Sequence, residues 1–179
     1  MSLGLRRLRA PALLFVCLAL FGADRAPGNF TEAERAQARK FSVDFIASLA
    51  RGDEKAVRAA LHPGIRLDSL PEKAIFDLTE EMFSGKVDIT RYIFSLSGHL
   101  MKEFLRGEHQ WVSYRFDEAL LEDRVEGSAL LGGPILYRTG LLTWRDRGVL
   151  HRDTRFELNL ARDPARKFQV VGFMLNGGK

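Results

Sequence analysis

Phe104-Leu105-Arg106-Gly107-Glu108-His109-Gln110-Trp111-Val112-Ser113-Tyr114-Arg115-Phe116 is the stretch on which the fold turns. Before Gly107 the apolar residues recur every three to four positions, and after it they alternate with polar ones. The first spacing lines one face of a helix, and the second lines one face of a half-buried strand. The chain therefore divides at Gly107 into a helical half and a stranded half.

Upstream, Asp88 precedes a run in which Ile89, Tyr92, Ile93, Leu96, Leu100 and Phe104 form one helical stripe, with Phe94, Met101 and Leu105 as a second. A helix apolar on so much of its circumference is buried on two sides or pairs with another subunit. Pro71 opens a preceding helix with Glu72 in its first turn, and Gly85 closes it. Thr31 followed by Glu34 has capping-box spacing and starts the first helix, on which Ala38, Phe41, Phe45, Ile46 and Leu49 share a side. Gly52 stops that helix, Asp53 caps a second through Val57, Ala60 and Leu61, and Pro63-Gly64 ends it. Ile65-Arg66-Leu67 then reads as extended.

Downstream, strands are expected at 110–116, 134–144, 149–160 and 168–175, with turns at 145–148 and 163–166. Short connections between successive strands imply an antiparallel meander. The segment from Leu120 to Gly133 reads as a strand or a loop without a clear position. Helices followed by an antiparallel sheet make an α+β domain of two layers.

The chain has 179 residues, 46% of them hydrophobic, 28% charged and 10% aromatic, which suits one folded domain rather than a disordered chain. Residues 1–23 begin with Arg6, Arg7 and Arg9, continue through an apolar run from Ala10 to Phe21, and end on Gly22-Ala23. That order is the grammar of an export signal, and the run falls short of the about 20 residues that cross a bilayer. The expected organisation is a signal peptide at 1–23, a linker at 24–30 and a domain at 31–179. The mature protein is expected to be secreted or periplasmic, with no membrane span. Cys17, the single cysteine, lies in the apolar run, so neither a disulfide framework nor a cysteine-based metal site is expected. Asn29-Phe30-Thr31 is a glycosylation sequon that matters only in a eukaryotic source.

The full chain carries 27 basic and 23 acidic residues. Removing the three leader arginines leaves 24 against 23, so the excess positive charge belongs mostly to the leader. Nucleic acid is therefore not an expected partner.

The segments Phe45-Ile46-Ala47-Ser48-Leu49-Ala50-Arg51-Gly52-Asp53 and Ala59-Ala60-Leu61-His62-Pro63-Gly64-Ile65-Arg66-Leu67, taken with the element order, resemble the NTF2-like (SnoaL-like, ketosteroid isomerase-like) superfamily. The resemblance implies a cone: N-terminal helices packed on a curved antiparallel sheet, with a pocket between them. Its motif covers about twenty residues, and the two helical stretches between Pro71 and Arg106 depart from the usual one. Such folds host many activities, so the resemblance implies a shape rather than a reaction.

The chain lacks the glycine-rich nucleotide loops, the HExxH metal motif and the GxSxG nucleophile motif. Its four histidines, His62, His99, His109 and His151, show no ligand spacing, and no metal or cofactor is expected. Strand alternation puts Leu150, Arg152, Thr154, Phe156, Leu158 and Leu160 on the inward face. It leaves His151, Asp153, Arg155, Glu157 and Asn159 to solvent. It also aligns Gln110, Val112, Tyr114 and Phe116 inward, leaving Trp111, Trp144 and Phe173 as candidates for an apolar outer face.

Tyr114, Arg152 and Thr154 are thus pocket candidates, the arginine for a ligand carboxylate. The alternative is that each is satisfied structurally. His99 and Glu103 are i, i+4 neighbours near Tyr92, either a tuned base or a helix-border pair. His62 and Asp68 could face each other across the pocket mouth. The expectation is a non-catalytic domain that binds a small apolar or amphipathic ligand or a protein, possible as a homodimer. The alternatives are an isomerase, cyclase or hydrolase using Tyr114 with a pocket carboxylate, and a structural assembly module.

Overall fold

The computed structural model describes residues 30–116, 124–128, 131, 133–165 and 167–176. The expected signal peptide, Cys17 and nearly all of the linker lie outside the described residues. Four helices come first, α1 (Glu32–Ala50), α2 (Glu54–Ala60), α3 (Glu72–Phe83) and α4 (Ile89–Leu105). Five strands follow, β1 (His109–Phe116), β2 (Arg124–Ser128), β3 (Gly133–Asp146), β4 (Val149–Arg162) and β5 (Phe168–Asn176). The fold is α+β with one antiparallel sheet of order β1-β3-β4-β5, and β2 pairs with the far end of β3. That pairing gives part of the unplaced 120–133 segment a position.

The helix boundaries follow local chemistry. The Thr31 hydroxyl accepts from the Glu34 N–H at 3.2 Å, and the Glu34 carboxylate accepts from the Thr31 N–H at 2.8 Å. Asp53 and Asp88 cap α2 and α4 by accepting from the N–H groups of Ala56 and Arg91. Gly52, Gly85 and Gly107 follow the ends of α1, α3 and α4 with φ near +70°, a conformation glycine adopts without steric cost. Arg147 and Gly148, both with positive φ, form a two-residue hairpin turn between β3 and β4.

α1 and α4 lie over one face of the sheet. Ala38, Phe45, Ile46 and Leu49 of α1 and Met101 and Phe104 of α4 meet Leu136, Leu142, Phe156, Leu158, Leu160, Val170 and Phe173 in one core. Phe104 stands 4.7 Å from Trp111, 5.8 Å from Trp144 and 6.2 Å from Phe173, ring centre to ring centre. These side chains pack between the helices and the sheet. Arg162 of β4 pairs with Glu34 of α1, and the Arg138 guanidinium donates to the Arg39 carbonyl at 3.2 Å and lies over the Phe116 ring.

Three bulges alter the alternation read from the sequence. Val112 is an extra residue in β1, so Trp111, Tyr114 and Phe116 face the core and Val112 faces solvent. An extra residue at Arg152–Asp153 in β4, where Asp153 has φ +48°, reverses the strand beyond it. Arg152 is exposed rather than inward, and His151 turns inward to stack on Trp144 at 4.6 Å. Leu150, expected inward, is exposed as well.

Trp111, Trp144 and Phe173 therefore belong to the core side, not to an apolar outer face. Glu157 and Asn159, expected in solvent, are buried. They lie at alternate positions of β4, beside a second apolar cluster of Ile135, Tyr137, Ala161 and Val171.

Candidate functional site

The residues between α2 and α3 form one wall of a cleft. Leu61 bridges to Val170, and the His62 N–H donates to the Val170 carbonyl at 2.9 Å, so the chain leaves α2 pinned to the edge of β5. It then crosses α4 at Gly98, where an added Cβ would lie 1.9 Å from the Arg66 carbonyl oxygen. Only glycine lets the two backbones approach so closely. Ile65 and Leu67 are buried, which turns Arg66 and Asp68 outward by alternation.

The opposite wall is the start of α4. Gly64, Arg66, Asp68 and Leu70 on one side and Asp88, Thr90, Arg91, Phe94 and Ser95 on the other enclose a cleft of about 510 Å³. Arg66, Asp68, Asp88 and Arg91 are exposed at its mouth, while Leu70, Phe94 and Ser95 are half-buried. Neither Arg66 nor Arg91 has an ion pair among the described residues. Asp88 is committed to the cap of α4, where it accepts from the Arg91 N–H at 2.9 Å.

His62 braces this wall. Its Nδ1 accepts from the Gly64 N–H at 3.0 Å, and its ring packs 4.8 Å from Phe94. Burial pushes its pKa below the usual histidine value. Asp68 lies in the cleft on the same segment.

His99 and Glu103 hold the far end of the segment. His99 Nδ1 accepts from the Leu70 N–H at 2.9 Å, and Glu103 accepts from the Ser69 hydroxyl at 2.9 Å. Arg106 donates to the same hydroxyl at 2.8 Å. With Nδ1 accepting, the neutral His99 ring carries its proton on Nε2. Burial pushes the His99 pKa down, and nearby His109 adds to this against the opposing pull of Glu103, 3.8 Å away. Burial alone would raise the Glu103 carboxyl. Hydrogen bonds from Glu108 and Ser69 and the nearby His99 and His109 outweigh it and hold Glu103 below the carboxylate range. The contact with Glu103 raises the Glu108 carboxyl above the usual glutamate value. Through these bonds the cluster clamps the end of the segment.

The other candidates lie elsewhere. Tyr114 is half-buried on β1, edge-on to Trp111 at 5.9 Å and to Phe116 at 6.4 Å. No carboxylate is its hydrogen-bond partner among the described residues. Thr154 is buried and inward as expected, and its hydroxyl accepts from Trp144 Nε1 at 3.0 Å. Tyr92 is half-buried on α4 and does not line the cleft. The structure thus brings His62 and Asp68 to the cleft segment and His99 with Glu103 to its end, and it separates them from Tyr114, Thr154 and Arg152.

The sequence reading missed Arg66, Arg91, Phe94 and Ser95 as a group. Arg66 alone carried a signal, as the one charged residue in the Ile65-Arg66-Leu67 alternation. Among the described residues, no three His, Cys, Asp or Glu side chains are arranged to hold a metal ion, and no helix is long and apolar enough to cross a membrane. No protein-family model, curated protein or solved structure matches the chain.

Proposed function

We propose that the chain is an exported, non-catalytic NTF2-like domain that binds a small amphipathic molecule bearing a carboxylate or similar anion. The reading rests on the cleft, where Arg66 and Arg91 have no ion-pair partner among the described residues and stand beside the apolar surfaces of Phe94 and Leu70. A guanidinium matches a carboxylate in two-point geometry, and a half-buried aromatic beside it suits an alkyl or ring body. Asp68 adds an acceptor for a ligand hydroxyl or amine. The order of helices and then an antiparallel meander supports the cone. The basic and then apolar leader of residues 1–23 supports export.

Calorimetric titration with decanoate and with decanol tests the cleft. Decanoate is expected to bind at least about ten-fold more tightly, with Arg66→Ala and Arg91→Ala each removing most of that preference. Equal binding of acid and alcohol, or arginine variants that bind as the parent does, would end this reading. The intact mass of protein recovered from the medium or periplasm tests export, since loss of the leader shortens the chain by about twenty residues.

A further inference from the structure

Three of the six large apolar side chains exposed among the described residues lie at one end of the sheet: Val149 (61%), Val112 (53%) and Leu150 (37%). The β3–β4 hairpin brings them together with arginines. Leu150 pairs with Arg145, which pairs with Gln110, and Val149 pairs with Asp146 at the turn. Val112 is the bulged residue of β1 two positions from Gln110. Farther along the outward face, Arg115 pairs with Leu141, which pairs with Arg155, and the β4 bulge leaves Arg152 exposed between them and the turn.

Arg115, Arg145, Arg152 and Arg155 are all exposed, and none has an ion pair or side-chain hydrogen bond among the described residues. Among the described residues, the exposed acids near this end are Asp153 and, beside Arg147 of the turn, Glu108, while Asp146 turns to His109 at 3.5 Å and Glu157 is buried. The surface is therefore cationic with an aliphatic tip.

Its chemistry selects among partners. A second copy laid face to face would set four arginines against four, a like-charge contact that disfavours pairing. Single-stranded nucleic acid is held by stacking on exposed aromatics, and the aromatics of this end, Trp111 and Trp144, face the core. An anionic bilayer meets both features, since guanidinium groups pair with lipid phosphates and short aliphatic side chains enter the headgroup layer.

We propose that the β3–β4 hairpin and the adjoining outward face of β1 and β4 dock this protein on a membrane surface containing anionic lipid. Val149 and Leu150 enter the headgroup region, and Arg115, Arg145, Arg152 and Arg155 contact phosphates around them.

Co-sedimentation of the full chain with vesicles of phosphatidylcholine, alone or mixed with phosphatidylglycerol, tests this, reading the binding gained on adding the anionic lipid. That gain is expected to fall with added salt and to drop about five-fold for each of Arg145→Ala, Arg152→Ala and Arg155→Ala. Arg152→Lys is expected to keep most of it, and the double change Val149→Ser with Leu150→Ser to lower it. Near-ultraviolet circular dichroism verifies that these surface variants remain folded. The proposal is overturned if both vesicles bind alike, or if the alanine variants or the serine pair bind as the parent does. Retention on duplex DNA without retention on anionic vesicles overturns it as well.

Discussion

The N–H of Leu70 donates to Nδ1 of His99 over 2.9 Å, so a backbone group at the end of the cleft segment is held by a side chain that can be protonated. Protonation at Nδ1 would set two donors against each other and turn the ring toward Glu103. His99 and His62 both have folded-state pKa values below the ordinary histidine value, chiefly through burial. As pH falls through that ordinary value, near 6.5, the unfolded chain takes up protons that the folded chain does not, and stability declines. Both groups contribute stability above pH 6.5, and it is lost as pH falls toward their folded values. Urea denaturation is expected to give a lower midpoint at pH 5.5 than at pH 7.5. His99→Asn, whose Oδ1 can take the place of Nδ1, is expected to narrow that gap. An unchanged gap would mean that His99 does not titrate in the clamp.

Gly98 is where α4 lets the cleft segment pass. A methyl group there meets the Arg66 carbonyl carbon and oxygen, neither of which can move as a side-chain tip can. Gly98→Ala is expected to destabilise the fold by about 1–3 kcal/mol or more, in spite of the better helix propensity of alanine. Gly64→Ala meets the Phe94 ring instead, and a ring can rotate. Its effect should be smaller and should appear as altered ligand affinity in the cleft. Equal losses in thermal unfolding would contradict this ranking.

Thr154 offers its hydroxyl to the indole N–H of Trp144 within the core. Thr154→Val keeps the shape and strands the N–H, at a cost of about 1–3 kcal/mol. Thr154→Ser keeps the acceptor and loses a methyl group, for roughly 1 kcal/mol. A valine variant as stable as the parent would show that Trp144 finds another acceptor.

Ser97 on α4 accepts from the Phe173 N–H at 2.9 Å, at a buried point where, among the described residues, β5 has no further strand beside it. Ser97→Ala is expected to cost about 1–3 kcal/mol. It should also raise hydrogen exchange at the Phe173 amide above that of Val171, and equal exchange at the two would argue against the bond.

The helical half was readable because its signals are local. Thr31, Asp53 and Asp88 cap within three residues of themselves, and Gly52, Gly85 and Gly107 end helices through their own backbone freedom. The four expected strands were readable from alternation and turn residues. The side each residue faces was not, because a single inserted residue reverses every position beyond it. Val112 and the Arg152–Asp153 bulge carry no composition that marks them, so plain alternation points Arg152 inward and Trp111 outward. The cleft was illegible for another reason. Arg66 and Arg91 line one cleft because Gly98 admits the Arg66 backbone across α4, a close approach of residues more than thirty positions apart.

The kink at Val112 has a further effect on how copies of the chain meet. Among the described residues, β1 is a terminal strand of the sheet, with one side of its backbone free of strand partners. Eight straight residues would template a neighbour's strand, the first step toward stacked fibrils. Because the ladder breaks after Trp111, an incoming strand could match only one half of β1 at a time. The residue that upset the reading of the face also makes this margin a poor seed for aggregation.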